Sequence, residues 1–291
     1  MFEGSIVALV TPFKNGKFDA PAYRRLVEWH IQEGTHGIVP CGTTGESATL
    51  DYDEHIGVVE TAVKAAKGRV PVIAGTGANS TDETILLTKR ARSVGADGAL
   101  LVCPYYNKPS QEGLVRHYKA VADAVKGFPL VLYNVPGRTS LNMNVATVAK
   151  LSRVRNIVAI KEATGNMRQA SDLLRAVSRN FKLISGDDFT TFTMMALGGH
   201  GVISVVANIM PRAVARMTEA MAAGNIAEAR DIHFALEELN GAMFYETNPV
   251  PVKTALAMMG KVKEEFRLPL CSMSRENKAR LRAVLKKYKL I

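Results

Sequence analysis

At 291 residues, with 47% hydrophobic and 22% charged positions, the chain has the balance of a globular protein and the length of one large domain or two ordinary ones. No apolar run reaches the ~18 residues of a membrane span, and the N-terminus MFEGSIVALVTPF has neither a basic leader nor a small-residue cleavage site, so a cytoplasmic protein with no membrane partner is expected. Three scattered cysteines (Cys41, Cys103, Cys271) and six scattered histidines argue against a disulfide framework or a zinc site. The net charge of +10 is dispersed rather than gathered into a nucleic-acid stripe; a field that draws in anionic substrates accounts for it.

Short, nearly continuous apolar runs recur along the chain at 6–10, 37–40, 70–74, 99–103, 130–133, 157–160, 182–184 and 202–206. Such runs are expected of parallel strands buried on both faces. Helical spacing fills the intervals. The first helix opens at Asp19-Ala-Pro-Ala and places Leu26, Val27, His30 and Ile31 on one side, while Asp51-Tyr-Asp-Glu54 and Ser80-Thr-Asp-Glu83 have the shape of capping boxes. Strand and helix alternating eight times predict an α/β fold, a closed (β/α)8 barrel over residues 1–225. From Pro211 onward the pattern is helical throughout, which predicts a helical extension over 226–291. No low-complexity linker separates the two, so the extension is expected to pack on the barrel.

In such barrels the working residues sit at the C-terminal ends of strands and in the loops that follow. Those positions carry Gly42-Thr43-Thr44-Gly45-Glu46, Gly75-Thr-Gly-Ala-Asn79, Pro104-Tyr105-Tyr106-Asn107, Tyr133-Asn-Val-Pro-Gly-Arg138-Thr139, Lys161 in Ala-Ile-Lys-Glu-Ala, and Ser185-Gly186-Asp187-Asp188. A lysine ending an apolar strand cannot easily extend to water, and desolvation favours its neutral, nucleophilic amine. The competing reading is an ion pair with a carboxylate such as Asp187. Tyr133, ending the neighbouring strand, is placed by alternation to face the same mouth and would move protons beside an imine, or would simply plug the barrel. Thr43 and Thr44 offer hydroxyl and N–H groups to a carboxylate, although the same residues also make a tight turn without a ligand. Gly75-Thr-Gly-Ala-Asn79 lacks the third glycine and the following acid of a dinucleotide loop. Asp187-Asp188 suits a helix N-cap better than a Mg²⁺ site. Neither a metal nor an organic cofactor is therefore expected.

Together, Gly42-Thr-Thr-Gly-Glu46, the Tyr133–Thr139 segment and the Lys161 strand resemble the dihydrodipicolinate synthase group of pyruvate-dependent class I aldolases, over essentially the whole chain. Gly-Thr-Thr-Gly-Glu and the strand lysine also occur in neuraminate lyases and keto-deoxy-sugar acid aldolases; Pro-Gly-Arg-Thr is similar to the synthase branch itself. The resemblance implies Lys161 as the Schiff-base residue, Tyr133 as proton donor and acceptor, and Thr43 and Tyr106 as its relay partners, with Tyr106 serving a neighbouring subunit. It puts Thr44, Gly186 and the backbone of Ile203 on substrate-contacting positions, and Arg138 on the carboxylate of a second substrate. The implied reaction is a lyase step, condensation of pyruvate with L-aspartate 4-semialdehyde, which opens the diaminopimelate route to L-lysine in a homotetramer. Feedback by L-lysine at a dimer interface is implied too, at Ser47, Ala48, His55, Asn79, Glu83 and Tyr105. Tyr52 departs from the histidine common in sensitive bacterial relatives, and the capping box would explain Glu83 without an effector. Two other functions remain open: a sister aldolase acting on a sugar acid, which would need a hydroxyl-reading pocket where Arg138 stands, and a silent binding protein on the same fold.

Overall fold

The computed structural model describes residues 2–291. Eight strands, β1 (Gly4–Ala8), β2 (Gly37–Val39), β3 (Ile73–Gly75), β4 (Gly98–Val102), β5 (Leu130–Asn134), β6 (Ile157–Glu162), β7 (Lys182–Ser185) and β8 (Gly201–Ser204), pair in parallel in the spatial order β2-β1-β8-β7-β6-β5-β4-β3. Ile38 stands opposite Val72 and donates its N–H to the Pro71 carbonyl at 2.9 Å, which joins β2 to β3 and closes the ring. Helices α1 (Ala20–Gln32), α2 (Tyr52–Ala66), α3 (Thr81–Ser93), α4 (Gln111–Ala124), α5 (Val145–Leu151), α6 (Met167–Ala176), α7 (Thr191–Ala196) and α8 (Pro211–Ala222) follow the successive strands, giving the eightfold repeat of a (β/α)8 barrel. A short hairpin, Phe13–Lys14 with Lys17–Phe18, precedes α1.

Side-chain alternation sorts the strands into two layers. Ile6, Ala8, Val39, Ile73, Val131, Tyr133, Ala159 and Ile203 fill the barrel interior, while Val7, Leu101, Leu132, Ile160 and Leu183 pack outward against the helices. Several boundaries differ from the apolar runs. β1 ends at Ala8 because the Val10 N–H leaves the ladder for Asn208 Oδ1 at 3.1 Å. The run at 202–206 ends in a 3₁₀ turn, Val206–Asn208, and the third strand starts at Ile73 rather than 70. β6 runs on to Glu162, so Lys161 lies within the ladder, opposite Tyr133 on one side and Ile184 on the other.

Both expected N-caps form: Asp51 accepts from the Glu54 N–H at 2.8 Å and Ser80 from the Glu83 N–H at 3.4 Å. The Glu54 carboxylate does not return to its own cap; it pairs with Arg267, far along the chain. Beyond residue 225 lie α9 (Ile226–Ala242), α10 (Val250–Met258) and α11 (Arg275–Lys287). The expectation of unbroken helix is corrected here, because 243–249 and 259–274 are irregular. Gly260 at φ +72° stops α10, and Pro269, without an N–H, keeps the following segment from resuming a helix. That segment returns to the barrel mouth, where Arg267 donates to the Thr49 carbonyl at 2.9 Å. No helix among the described residues is long and apolar enough to cross a membrane.

Candidate active site

The register of β5 on β6 sets Tyr133 beside Lys161, and both side chains point inward because they share parity with Val131 and Ala159. Lys161 is 6% and Tyr133 7% exposed, and Nζ lies 4.2 Å from the tyrosine ring centroid. Among the described residues no carboxylate comes within 4.0 Å of Lys161, so the alternative ion pair with Asp187 does not form. The lysine stem passes directly over Gly186, where a Cβ would stand 2.9 Å from Lys161 Cε and 2.6 Å from Ala163 Cβ. Only glycine leaves that path open. Glu162, the next residue, is buried and accepts from Asn134 Nδ2, the Thr164 N–H and Gln169 Nε2 at 3.1, 2.8 and 3.2 Å. These bonds hold the strand end from which the amine projects.

Lys161, Tyr133, Thr43, Thr44, Arg138 and Gly186 line one pocket of about 180 Å³ at the strands' C-terminal ends, together with Asp187, Val205, Phe244 and Asn248. Thr43 and Tyr133 face this space without a direct hydrogen bond. Ile203, expected to act through its backbone, packs its side chain in the barrel interior, and Val205, two residues on, lines the pocket. One expected member is elsewhere. Tyr106 is 90% exposed, on a loop where its own φ is +69°, and does not reach the pocket of its own chain.

The aspartate pair is also corrected. α7 starts at Thr191 with Thr190 as its N-cap, and neither aspartate caps it. Asp188 is buried and accepts from the Val205 and Val206 N–H groups at 2.9 and 3.0 Å, so it caps the 3₁₀ turn after β8. Burial raises its carboxyl pKa, against the pull of those donors and of Ser204. Asp187 lines the pocket and accepts from the Phe189 N–H at 3.1 Å; burial raises its pKa too. No group of three or more His, Cys, Asp or Glu among the described residues could share a metal ion. The glycines of Gly75-Thr-Gly-Ala-Asn79 serve packing: a Cβ at Gly75 would lie 2.2 Å from the Cys41 carbonyl oxygen, and one at Gly77 2.3 Å from the Val102 nitrogen.

The loop that carries Thr43 and Thr44 is a nest of tight turns. Gly45 N–H donates to the Gly42 carbonyl at 3.0 Å, Glu46 N–H to Thr43 at 3.1 Å, and Thr11 Oγ1 to the Gly45 carbonyl at 2.7 Å. Arg138 reaches in from the helical turn Pro136–Thr139 and donates from Nη2 to the Asn248 carbonyl at 3.1 Å, while Asn248 Nδ2 donates to Thr44 Oγ1 at 3.0 Å. Sequence reading passed over Asn248; its one signal was the polar, proline-rich Thr247-Asn-Pro-Val-Pro251 interrupting a helical stretch. It also passed over Lys253, whose Nζ meets Glu46 Oε1 at 2.6 Å with both side chains sealed from solvent. Burial pulls the Lys253 ammonium down to about 8, against the opposing attraction of Glu46.

A second cavity of about 440 Å³ adjoins the first and shares Thr43, Val135, Arg138 and Asn248 with it. Ser47, Ala48, His55, Glu83 and Tyr105 line it, as does Tyr52. Asn79 is set back, its carbonyl accepting from Asn107 Nδ2 at 2.8 Å beside the tyrosine loop. His55 is buried with Nε2 2.8 Å from the Gly75 carbonyl; burial lowers its pKa, so the ring is neutral and donates there. Burial, then Glu83, raises the pKa of the Tyr105 phenol.

Comparison with known proteins bears on the family and the fold. The model of the dihydrodipicolinate synthetase family matches residues 1–288. A 4-hydroxy-tetrahydrodipicolinate synthase from Thermodesulfovibrio yellowstonii is 62% identical over 291 residues, covering 100% of both chains. A crystal structure of dihydrodipicolinate synthase from Acinetobacter baumannii, complexed with pyruvate, superposes with a TM-score of 0.98 at 46% identity over 100% of both chains. One from Cyanidioschyzon merolae with lysine bound gives 0.97 at 41% identity, over 100% of this chain and 99% of that one. This chain belongs to the dihydrodipicolinate synthetase family.

Proposed function

We propose that the chain is a lyase with the activity of its relatives, 4-hydroxy-tetrahydrodipicolinate synthase, joining pyruvate to L-aspartate 4-semialdehyde through a Schiff base on Lys161. The observation that carries this reading is a buried amine with no carboxylate partner, facing a small pocket that it shares with the hydroxyls of Thr43, Thr44 and Tyr133, the Arg138 guanidinium, the Asn248 amide and the Asp187 carboxylate. Arg138 and the hydroxyls offer donors to two carboxylate substrates, and the amine held among them faces the ketone it attacks.

Lys161 Nζ adds to the keto carbon of pyruvate, and the ketone oxygen, twice protonated, leaves as water to give the imine. Loss of a methyl proton makes the enamine, whose terminal carbon attacks the aldehyde of the second substrate; the aldehyde oxygen takes a proton and becomes the hydroxyl. The substrate amine then adds to the imine carbon, and Lys161 departs as a free amine from the closed ring. Each step moves a proton, and Tyr133 stands next to the reacting nitrogen to carry it, with Thr43 as its partner in the chain. Thr44 and the backbone of Ile203 bind the pyruvate carboxylate. Gly186 keeps the path of the lysine clear, and Arg138 clamps the carboxylate of the semialdehyde with two parallel N–H donors.

The proposal extends to a cytoplasmic homotetramer in which residues 1–225 carry the chemistry and 226–291 form the packed extension. Tyr106 completes the relay of the neighbouring subunit, in line with its exposure in its own chain. The adjoining cavity is the site for L-lysine, with Glu83 for an ammonium and Tyr105, with Asn79 set back beside its loop, for the amino-acid end; that a relative has been crystallised with lysine bound supports an effector of this kind. Borohydride reduction in the presence of pyruvate tests the central claim. One adduct per chain is expected, on the peptide containing Lys161, and none in Lys161→Ala. An adduct that persists on another lysine would overturn the reading.

A further inference from the structure

Taking two charges out of water costs more than packing two apolar side chains of the same volume, so a fully buried ion pair calls for a reason other than stability. Lys253 and Glu46 make such a pair, with side-chain exposures of 0% and 1% and 2.6 Å between Nζ and Oε1. The ammonium also sits 4.0 Å from the centroid of Phe13 and 5.3 Å from that of Phe266, so apolar rings close it off from water. Glu265 and Arg267 are the other charged groups that act on it.

The two partners stand next to residues of the pocket wall, Glu46 in the loop of Thr43 and Thr44 and Lys253 in the helix that follows Asn248. Glu46 ends the Gly42-Thr-Thr-Gly-Glu46 loop at φ +53°, a left-handed conformation strained for a residue with a side chain. Its backbone is knitted into the turns that present Thr43 and Thr44: its N–H donates to the Thr43 carbonyl, and its carbonyl accepts from the Thr49 N–H and Oγ1, each at 3.1 Å. Lys253 sits on α10, one turn after Asn248, which bonds Thr44 Oγ1 and receives Arg138. Two tethers therefore join the same loop to α10 and the turn that leads into it, 3.0 Å between Asn248 and Thr44 and 2.6 Å between Lys253 and Glu46.

We infer that Lys253 and Glu46 are positioning residues for the condensation, a clamp by which the C-terminal extension sets the placement of Thr43 and Thr44 over Lys161. A charged pair does this where an apolar contact would not, since it has one short, directional geometry and strongly penalises any slip that leaves a charge unpaired. The inference rests on the roles proposed above for Thr43 and Thr44. It explains why a left-handed glutamate is kept in this loop and why a lysine points inward from an extension remote from the barrel strands.

Lys253→Met and Glu46→Gln each remove one charge at nearly constant volume. Either is expected to lower kcat about 10- to 100-fold, the cost of misplacing a group by about 1 Å, and to raise KM for pyruvate, whose carboxylate Thr44 binds. The double variant leaves no lone buried charge, so its thermal stability should recover while kcat stays low. A kcat that recovers together with stability, or folded single variants within about twofold of wild type, would overturn the clamp. Glu46→Asp keeps both charges but shortens the reach by one methylene, and decides the matter if the neutral variants do not fold: a kcat loss of about 10-fold with an unchanged Tm is expected, and wild-type kcat would sink the idea. Wild-type condensation and the Lys161 adduct are measured alongside. Their absence would refute the reaction itself, whereas their presence with unaffected variants would refute only the clamp.

Discussion

The pocket at Lys161 and the cavity beside it share four residues yet are built in different ways. The pocket is framed by strand ends: Tyr133 and Lys161 are locked in a ladder, and their side chains have one direction open to them. The cavity is framed by loops and helix starts, from Ser47 to Leu270, and Tyr105 and Tyr106 at its margin are 38% and 90% exposed. Under the proposed function, chemistry that depends on sub-ångström placement stands on the rigid element, and the effector site on the adaptable one. The proposed relay takes its third member, Tyr106, from the exposed loop of a neighbouring chain.

The sharpest test of that division is Tyr106→Phe. Losing a proton-transfer group should cost at least about 100-fold in kcat while the pyruvate adduct on Lys161 still forms. Mixing these chains with Lys161→Ala chains should restore one working site per hybrid dimer. No recovery, with hybrids confirmed by mass, would return Tyr106 to the role of a surface residue.

Gly186→Ala probes the rigid side. The added methyl meets Lys161 Cε and Ala163 Cβ inside contact distance, so the lysine must swing aside. A kcat loss on the order of 100-fold is expected, with slower borohydride trapping and an unaltered response to lysine, since Gly186 does not line the second cavity. Wild-type trapping in this variant would show that the amine has freedom the strand geometry denies it.

Arg138 lines both spaces, so its removal asks whether they are separable. Arg138→Ala should lower kcat/KM for the semialdehyde about 30-fold, from the roughly 1.5–3 kcal/mol of a charged hydrogen bond, and leave the pyruvate adduct intact. An unchanged semialdehyde dependence would favour a sister aldolase instead. The smallest effect expected is inhibition by L-lysine at sub-saturating pyruvate, worth ~1–3 kcal/mol of coupling and weakened in Glu83→Ala. A flat rate with millimolar lysine in the wild-type protein would remove the effector from the proposal. Inhibition that survives Glu83→Ala would move the site elsewhere.

Much of this site was legible before any coordinates, and what was hidden has a common cause. Lys161 and Tyr133 could be paired because strand alternation is a local rule, and Thr43 and Thr44 stood out because glycines flank them. The reading of Asp187-Asp188 as a helix cap failed because the acceptor of a buried carboxylate is chosen in space: the donors that Asp188 meets belong to Val205 and Val206, seventeen and eighteen residues away. Glu54 has the spacing of a capping box but is taken by Arg267 for the same reason. The two buried lysines make the point most plainly. Both lie in apolar surroundings, but only Lys161 ends a strand run that marks it, whereas Lys253 stands alone in an apolar helix, Val250–Met258, where nothing nearby in sequence names its partner.

What the sequence determined by itself was periodic or local: eight buried strands, the helices between them, the caps at Asp51 and Ser80, and the parity that turns Lys161 and Tyr133 to one mouth. Those features depend on side chains a few residues apart, where backbone geometry leaves few choices. Only the tertiary structure decided which distant groups met: Asn248 with Thr44 across 204 positions, Lys253 with Glu46 across 207, and Arg267 with Glu54 across 213. A hydrogen bond or ion pair is selected by proximity and desolvation in the folded chain, and neither quantity is written in the spacing of residues along it.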